Sequence, residues 1–377
     1  MRIFQVISDS NIGGAGVLVK RICEALADEF EFTVIVPRGA ELKRLLERGK
    51  QSEERGTAKE KNAHRRVRVV EMDMGCERSF RLWDVERFRE LFLREAPDVV
   101  HTHATLSARI GARLAGVERI LSTRHCAKER GEKRSVLYTK IYNTVTDITV
   151  STAQYAKLNL IEEGVLPERI CVIPNGSPRT PRTSGAEREA LKEALGIPRG
   201  AVVLGSVARL EQVKGQDLMI EALAALVREW RFDAHLVLVG TGRAEASYRA
   251  LARDRKISER VHFVGFTDEP YRYQNIFDIN LNASRGTETS CLATSECMSL
   301  GVVTVASDFG GNPEMVRHEV SGLLFPSGDV EAMVCSIRRL LEEPSLMLAL
   351  SSGARLLYEK VYSIERMAEK YRRLYRS

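Results

Sequence analysis

The chain has 377 residues, of which 44% are hydrophobic and 29% charged, a composition that fits a globular protein of about two domains and excludes a disordered one. No apolar run approaches the ~18 residues of a membrane span, and the N-terminal run is too short for a signal peptide. The net charge is +6, and residues 1–177 hold 30 Lys and Arg against 25 Asp and Glu. This modest surplus predicts no nucleic-acid partner.

Short apolar, β-branched runs alternate with helix-like stretches along the chain. They predict strands at 3–7, 33–36, 67–72, 98–102, 147–150 and 170–173, then at 202–207, 235–239, 261–264, 278–281 and 302–305. A helix with one apolar face is predicted from Val17 to Phe30. Buried strands that alternate with helices indicate parallel sheets covered on both sides, so the expected fold class is α/β.

A break divides this pattern into two halves. Residues 174–186 are rich in Pro, Gly, Ser and Thr and show no periodicity. We therefore predict two Rossmann-like, doubly wound domains, at 1–177 and 187–357, joined by a linker at 178–186 and facing a central cleft. Ligands of such folds bind at the carboxyl ends of the strands.

The stretch from 84 to 95 places four apolar side chains on one helical face and three arginines elsewhere. A helix that packs on the sheet is the simpler interpretation, and a surface that docks on an anionic membrane is the alternative.

Two features of the first half could bind a ligand. Gly13 and Gly14 lie between the first strand and a helix, where glycine lets the backbone approach an anion, although a plain tight turn explains them equally well. His101 and His103 alternate at a strand end, and we expect their side chains to point to opposite sides. His125 ends the next strand and is the better candidate for a ligand contact.

Charged residues of the second half suggest recognition of a phosphorylated sugar. Arg209 follows a buried strand and Lys214 stands five residues later, an arrangement that suits two neighbouring phosphates or, alternatively, two solvated loop charges. Glu288 and Glu296 are eight residues apart. If a helix starts near Ser290, Glu288 precedes it and Glu296 lies about two turns inside, so both carboxylates could accept hydrogen bonds from sugar hydroxyls.

These motifs, in this order, resemble the retaining GT-B glycosyltransferases of family 4 over nearly the whole chain. The matching segments are Gly13-Gly14, His101-Thr-His103, Thr123-Arg-His125, Ile173-Pro-Asn-Gly176, Val207-Ala-Arg209, Lys214-Gly215, Leu238-Val-Gly-Thr-Gly242, Glu288-x7-Glu296, Ser307-Asp-Phe-Gly-Gly311 with Glu314, and Ser321-Gly-Leu-Leu-Phe325. The final segment, about 358–377, resembles the family's last helix, which returns to the first domain.

The resemblance implies a role for each matched residue. Arg209 and Lys214 would hold the donor diphosphate, Glu296 the ribose and Glu288 the donor sugar. The backbone at Cys291 and Leu292 would approach the phosphate, Gly13 and Gly14 would lie beneath it, and His125 would meet the sugar. The chain has no Asp-x-Asp pair and no Cys or His cluster with zinc spacing, so we expect no metal and no other cofactor.

The sequence departs from the family pattern after the first glutamate. The family often has Glu-Gly-Phe-Gly-Leu, whereas this chain has Glu288-Thr-Ser-Cys-Leu292, and Cys297 stands where Ala or Gly is common. These changes could narrow the pocket, but the cations and both glutamates remain, which favours an active enzyme.

The resulting interpretation is a cytoplasmic glycosyltransferase of the hexosyltransferase type. It would move a sugar from a nucleotide donor, expected to be a UDP-sugar, to a hydroxyl of a lipid-linked or polysaccharide acceptor, with retention of configuration. The basic first domain would bind the acceptor and could attach the protein peripherally to the inner face of an anionic membrane. The alternatives are a UDP-sugar 2-epimerase of the same fold and a non-catalytic nucleotide-sugar-binding partner subunit.

Overall fold

A computed structural model describes residues 1–10, 13–51, 67–75, 80–125 and 135–377, and the side chains of 48–51 are not considered further. It divides into two compact units. The first comprises Met1–Gly176 and Ile364–Ser377, and the second comprises Ser177–Ser363. Cys76 and Cys126 lie outside the described residues.

The described part of the first unit contains a seven-stranded parallel sheet in the order β3-β2-β1-β4-β5-β6-β7. Its strands are β1 (Arg2–Ile7), β2 (Glu31–Pro37), β3 (Val67–Met72), β4 (Val99–His103), β5 (Arg119–Arg124), β6 (Ile148–Ser151) and β7 (Ile170–Val172). Its helices before the second unit are α1 (Gly14–Leu26), α2 (Glu41–Gln51), α3 (Leu82–Glu95), α4 (Leu106–Leu114), α5 (Val136–Val145) and α6 (Gln154–Glu162).

The second unit contains a six-stranded parallel sheet in the order β10-β9-β8-β11-β12-β13. Its strands are β8 (Val202–Val207), β9 (Ala234–Val239), β10 (Val261–Gly265), β11 (Ile279–Asn282), β12 (Val303–Ser307) and β13 (Gly322–Phe325). Its helices are α7 (Gly185–Ala194), α8 (Gln216–Arg228), α9 (Glu245–Asp254), α10 (Pro270–Gln274), α11 (Leu292–Leu300), α12 (Asn312–Met315), α13 (Val330–Glu342) and α14 (Pro344–Leu357). After a π-helical turn (Tyr358–Tyr362), α15 (Ile364–Arg376) belongs to the first unit.

All eleven predicted strands are present, with ends that differ from the predicted ones by at most two residues. Two further strands, β5 and β13, are not among these eleven runs, although the sequence also predicts a strand that ends at His125, where β5 lies. In β5 the polar residues Ser122 and Thr123 follow the short apolar run Ile120-Leu121, although all four are buried. A strand that is buried on both faces needs hydrogen-bond partners for its hydroxyls, not an unbroken apolar sequence.

Helix α1 shows how local sequence sets the packing of the first unit. It begins at Gly14, three residues before the predicted start, and buries Leu18, Ile22 and Leu26 against the sheet. A Cβ on Gly16 would stand 2.7 Å from the Leu42 side chain, so glycine permits the close approach of α1 and α2.

Helix α3 packs on the core, as the simpler interpretation of its sequence predicts. Its apolar face, made of Val85, Phe88, Leu91 and Phe92, is buried in a core cluster, so that face does not meet a membrane. The exposed apolar side chains at the start of this helix are Leu82 and Trp83. No helix in the described part of the chain is long and apolar enough to cross a membrane.

The segment predicted as a linker, 178–186, belongs to the second unit. The Thr180 amide donates to the Ser299 hydroxyl at 3.0 Å, and the Thr180 hydroxyl donates to the Glu296 carbonyl at 3.0 Å. The Arg182 guanidinium donates to the Leu300 carbonyl at 2.9 Å. These hydrogen bonds hold the segment against α11, although its composition alone is typical of a free loop.

Candidate active site

The second sheet has a switch point between β8 and β11, where the strand order reverses. In an open α/β sheet, ligands bind outside the carboxyl ends of the strands at this point. A pocket lies there, and its lining includes Lys214, Glu288 and Cys291 together with the polar side chains of Asn282 and Thr294. The structure thus brings three of the predicted site residues together.

Lys214 is held in this pocket by a tight turn and an ion pair. It ends a 3-10 turn, and Gly215 follows with a φ of 70°. A Cβ on Gly215 would stand 2.1 Å from the Ala283 carbonyl oxygen, so glycine is required for this close approach. Lys214 Nζ lies 2.8 Å from Glu288 Oε2. Burial alone would lower the pKa of Lys214, but the Glu288 charge and smaller contributions outweigh it and raise the pKa above its usual value.

Glu288 is a buried carboxylate in the loop after β11. Its Oε2 accepts from Lys214 and also from the Ser284 hydroxyl at 2.9 Å. The glycine-rich turn at Gly310 and Gly311 packs directly against this loop, since a Cβ on Gly310 would stand 2.4 Å from the Glu288 carbonyl oxygen. The Gly311 amide donates to the same carbonyl oxygen at 3.2 Å. Gly310 and Gly311 therefore allow this turn to pack against the backbone of Glu288 and support it.

Helix α11 begins at Leu292, with Cys291 as its N-cap, rather than near Ser290 as predicted. Glu296 is consequently the fifth helical residue, a little over one turn inside, and the expected depth of two turns is wrong. The Cys291 amide donates to Met315 Sδ at 3.0 Å. Burial, followed by the charge of Glu288, raises the pKa of the Cys291 thiol, which keeps it protonated.

Glu296 and Leu292 share a helix with the pocket residues, but their side chains are not part of its lining. Gln274, at the end of α10, donates from Nε2 to Glu296 Oε2 at 2.9 Å. Gln274 is fully buried, so this bond orients the carboxylate.

Arg209 is exposed and follows the end of β8. Its positive charge opposes the rise in the pKa of Lys214 but does not cancel it. The buried Gln216 donates from Nε2 to the Arg209 carbonyl at 2.9 Å and so anchors the loop that carries this residue. Lys214 has an acidic partner within the pocket, whereas Arg209 is not part of the pocket lining.

The first unit holds the other predicted residues. Gly13 is the N-cap of α1 and Gly14 its first residue, and no described atom lies within 4 Å of a Cβ built on either. Packing therefore does not require glycine at these positions, in contrast to Gly16. The open space at this helix N-terminus suits an approaching anion.

The three histidines form one cluster at the carboxyl ends of β4 and β5. The rings of His101 and His103 lie 4.6 Å apart, which contradicts the expectation that they point to opposite sides. Residues two apart in a strand share a face. His125 Nε2 lies 2.7 Å from His103 Nδ1. Burial lowers the pKa of His125 to about 4 and that of His103 well below its usual value, so both rings are neutral near pH 7.

Sequence reasoning missed several polar residues that support the second-unit site. The strand segment Asn280-Leu-Asn-Ala-Ser284 alternates polar with apolar residues where a buried strand is expected, and this was the available signal. The amide of Asn282 donates to Asn312 at 3.0 Å, and Asn312 in turn donates to Ser307. Among the described residues, no group of three or more His, Cys, Asp or Glu side chains could hold a metal ion.

Comparison with known families identifies both halves of the chain. Residues 12–178 match the family model described as "Glycosyltransferase Family 4", and residues 187–357 match "Glycosyl transferases group 1". These two ranges lie on either side of the predicted linker.

Individual relatives agree with this family. The chain is 28% identical over 291 residues to the putative glycosyltransferase EpsD of Bacillus subtilis, covering 73% of this chain and 76% of that protein. It is 25% identical to the Escherichia coli UDP-Gal:alpha-D-GlcNAc-diphosphoundecaprenol alpha-1,3-galactosyltransferase, covering 76% and 77% of the two chains. The crystal structure of Anabaena Alr3699/HepE in complex with UDP aligns over 99% of both chains, with a TM-score of 0.81 at 20% identity. The same protein has also been solved with UDP-glucose. The chain therefore belongs to the family 4 glycosyltransferases, with a GT-B fold of two Rossmann-like domains.

Proposed function

We propose that the protein transfers a sugar from a UDP-sugar to a hydroxyl group of a lipid-linked or polysaccharide acceptor, with retention of the anomeric configuration. The observation that carries this proposal is the pairing of Lys214 with Glu288 in the pocket at the switch point of the second sheet. UDP as the nucleotide is supported by the UDP and UDP-glucose complexes of the Anabaena protein. A lipid-linked acceptor is supported by the name of the Escherichia coli relative.

The two cations serve the leaving group. As the bond from the anomeric carbon to the diphosphate breaks, negative charge grows on the departing phosphate oxygen. Lys214 and Arg209 stabilise this charge as a point charge and a planar fork, respectively. With two cations assigned to the diphosphate, we expect turnover to continue in excess EDTA, and an absolute requirement for a divalent cation would contradict this assignment.

The carboxylates serve recognition. Glu288 accepts hydrogen bonds from hydroxyls of the donor sugar, and Glu296, oriented by Gln274, accepts from the ribose. The acceptor oxygen attacks on the face from which the diphosphate leaves, and a phosphate oxygen of the leaving group takes the acceptor proton. This route needs no nucleophilic side chain, consistent with the protonated state of the Cys291 thiol.

A donor panel tests the proposal. The full chain is incubated with uridine, guanosine and adenosine diphosphate sugars and a mixture of undecaprenyl-diphosphate glycans, and the released nucleoside diphosphate is measured. We expect release of UDP, dependent on acceptor, and a product whose anomeric configuration by NMR equals that of the donor. An epimerised sugar formed without acceptor, an inverted product, or release of another nucleotide alone would contradict it.

Peripheral attachment to an anionic membrane is a further part of the proposal. It rests on an exposed apolar group at the start of α3, which we call the α3 apolar group: Phe80, Leu82 and Trp83, of which Trp83 is 79% exposed. The first half also carries the charge surplus, although Arg87 and Arg89 are ion-paired with Asp73 and Glu86, respectively. Aromatic and apolar side chains that enter the interface, assisted by basic charge, are typical of such surfaces.

Vesicle sedimentation tests this attachment. We expect binding to vesicles of phosphatidylglycerol and phosphatidylcholine, weaker binding to pure phosphatidylcholine, and a loss of binding in the Leu82→Ser/Trp83→Ser variant. Leu348→Ser, which removes a side chain of 70% exposure from the second unit, is the matched control and should bind like the wild type. Equal sedimentation of all three proteins would contradict the assignment of this group.

A further inference from the structure

The histidine cluster of the first unit is part of a longer chain of buried polar side chains. This series of hydrogen bonds starts at the half-buried His125 and continues inward through four elements, β4, β1, α15 and β5. Its remaining members are fully buried and lie in a sheet core where apolar residues would pack without needing hydrogen-bond partners. In order, the chain contains His125, His103, Gln5, Tyr375, His101 and Thr123.

Every neighbouring pair in this chain is within hydrogen-bond distance. His103 Nδ1 lies 2.7 Å from His125 Nε2, and His103 Nε2 lies 2.8 Å from Gln5 Oε1. Gln5 Nε2 donates to the Tyr375 hydroxyl at 2.8 Å, across 370 positions of sequence. Both ring nitrogens of His103 are thus engaged, so its ring cannot turn without breaking a buried bond.

The polarity of the Gln5 amide determines the protons on both rings. An amide oxygen only accepts, so His103 carries its proton on Nε2. Because burial keeps His103 neutral, its Nδ1 then holds a lone pair and accepts. His125 must therefore donate from Nε2, which places its own lone pair on Nδ1. This series of hydrogen bonds therefore sets a single tautomer of His125 at the end of β5.

We propose that Gln5 and His103 are positioning residues that fix the ring orientation and the tautomer of His125, with Tyr375 of the last helix holding the Gln5 amide. This inference rests on the proposed glycosyltransferase function, for which the family resemblance implies that His125 contacts a sugar. In the tautomer set by these hydrogen bonds, the His125 ring is neutral and carries its lone pair on Nδ1. Helix α15 thereby contributes to the first unit's site through Tyr375.

The first test is spectroscopic and independent of activity. The full chain is labelled with ¹⁵N-histidine, and long-range proton–nitrogen spectra are recorded at pH 7, with His125→Asn and His103→Asn variants for assignment. We expect protonated Nε2 and unprotonated Nδ1 for both rings. Gln5→Leu removes the acceptor and should leave His125 as a mixture of tautomers, whereas Gln5→Glu keeps an acceptor and should preserve the wild-type pattern.

The second test is kinetic. Partners that orient a ligating group typically contribute 10- to 100-fold in activity, so we expect Gln5→Leu to lower kcat by roughly that factor. Gln5→Glu should recover most of the loss, and KM for the acceptor should change little. Tyr375→Phe should lower kcat by a smaller factor, roughly 10-fold at most. Tyr142→Phe removes another buried tyrosine hydroxyl of the same unit, one that bonds Thr149 at 3.0 Å, and should retain wild-type kcat.

Three results would overturn the inference. These are a protonated Nδ1 on His125 in the wild type, an unchanged tautomer in Gln5→Leu, and an equal loss of kcat in Tyr142→Phe and Tyr375→Phe. Failure of the proposed function looks different. A wild-type protein that has the expected tautomers but releases no UDP from any donor would contradict the UDP-sugar proposal and leave the hydrogen-bond polarity intact.

Discussion

Replacing Lys214 with methionine tests whether the pair at the second switch point is an electrostatic unit. Methionine keeps most of the volume and removes the charge. The side chains of Lys214 and Glu288 are 19% and 7% exposed, so the change leaves a carboxylate that is almost completely buried without its cation. Breaking a buried pair costs about 3–5 kcal/mol, and the remaining Ser284 hydroxyl bond favours the lower end, about 3 kcal/mol.

The expected shift follows from the size of the unit. For a domain of roughly 150–250 residues, 1 kcal/mol corresponds to about 2–4 °C, so Lys214→Met should lower the Tm of the second unit by about 6–12 °C. Calorimetry measures this directly. Because the pKa of Lys214 is raised in the folded state, its contribution is complete below the unfolded value of about 10.4 and is lost only at higher pH. The difference in Tm between Lys214→Met and the wild type should therefore be the same at pH 7 and pH 9.

Two further variants test whether the loss of stability comes from the broken ion pair or from the loss of a positive charge in general. Lys360→Met removes an exposed lysine of the same unit and should change stability by less than about 0.5 kcal/mol. Glu288→Gln keeps the shape, and the double variant Lys214→Met/Glu288→Gln should be more stable than Lys214→Met alone, because no charge remains buried. If Lys214→Met melts within about 1 °C of the wild type, Glu288 does not depend on this cation and the reasoning is wrong.

Three other predictions follow from the same contacts. Gly13→Ala should leave Tm unchanged, because a Cβ there meets no described atom within 4 Å, and should lower turnover, because the family resemblance implies a ligand beside it. Gly311→Ala should cost about 1–3 kcal/mol, since its Cβ would stand 1.7 Å from a backbone oxygen, and equal melting of the two variants would contradict this. Gln274→Leu should raise KM for the donor by about 10-fold or more, with a smaller change in kcat, because it releases Glu296; steady-state kinetics decides. Stability to urea should fall as the pH decreases below about 6.5, because burial lowers the pKa of all three clustered histidines and the unfolded chain therefore binds protons first. Each histidine should lower the free energy of unfolding by about 1.4 kcal/mol per pH unit. A flat profile from pH 7 to 5 would refute this.

The sequence was informative where function depends on residues that are close along the chain. The buried strands, the turn at Lys214 and Gly215, and the glutamate pair around α11 all reflect local spacing, and the structure brings Lys214 and Glu288 into one pocket. The errors were also local in kind. The sequence predicts a start of α11 near Ser290, whereas the helix begins at Leu292 with Cys291 as its N-cap, because local sequence defines the ends of a helix less well than its existence.

The supporting residues could not be predicted because their partners are distant in sequence. Gln5 and Tyr375 are 370 positions apart, and each alone looks like an ordinary residue of a strand or a helix. Gln274 reaches Glu296 from a five-residue helix that carries no motif. Buried amides and hydroxyls of this kind become visible only when the fold shows which hydrogen-bond partners they have.

The two units bury different kinds of polar group at the carboxyl ends of their strands. In the second unit, a cation and a carboxylate are buried together, which is costly unless each compensates the other, and such a site suits a ligand that itself carries charge. In the first unit, burial keeps three imidazoles neutral and a buried amide orients them, which suits recognition of uncharged hydroxyl groups. The surplus of positive charge in the first half therefore does not belong to its histidine cluster.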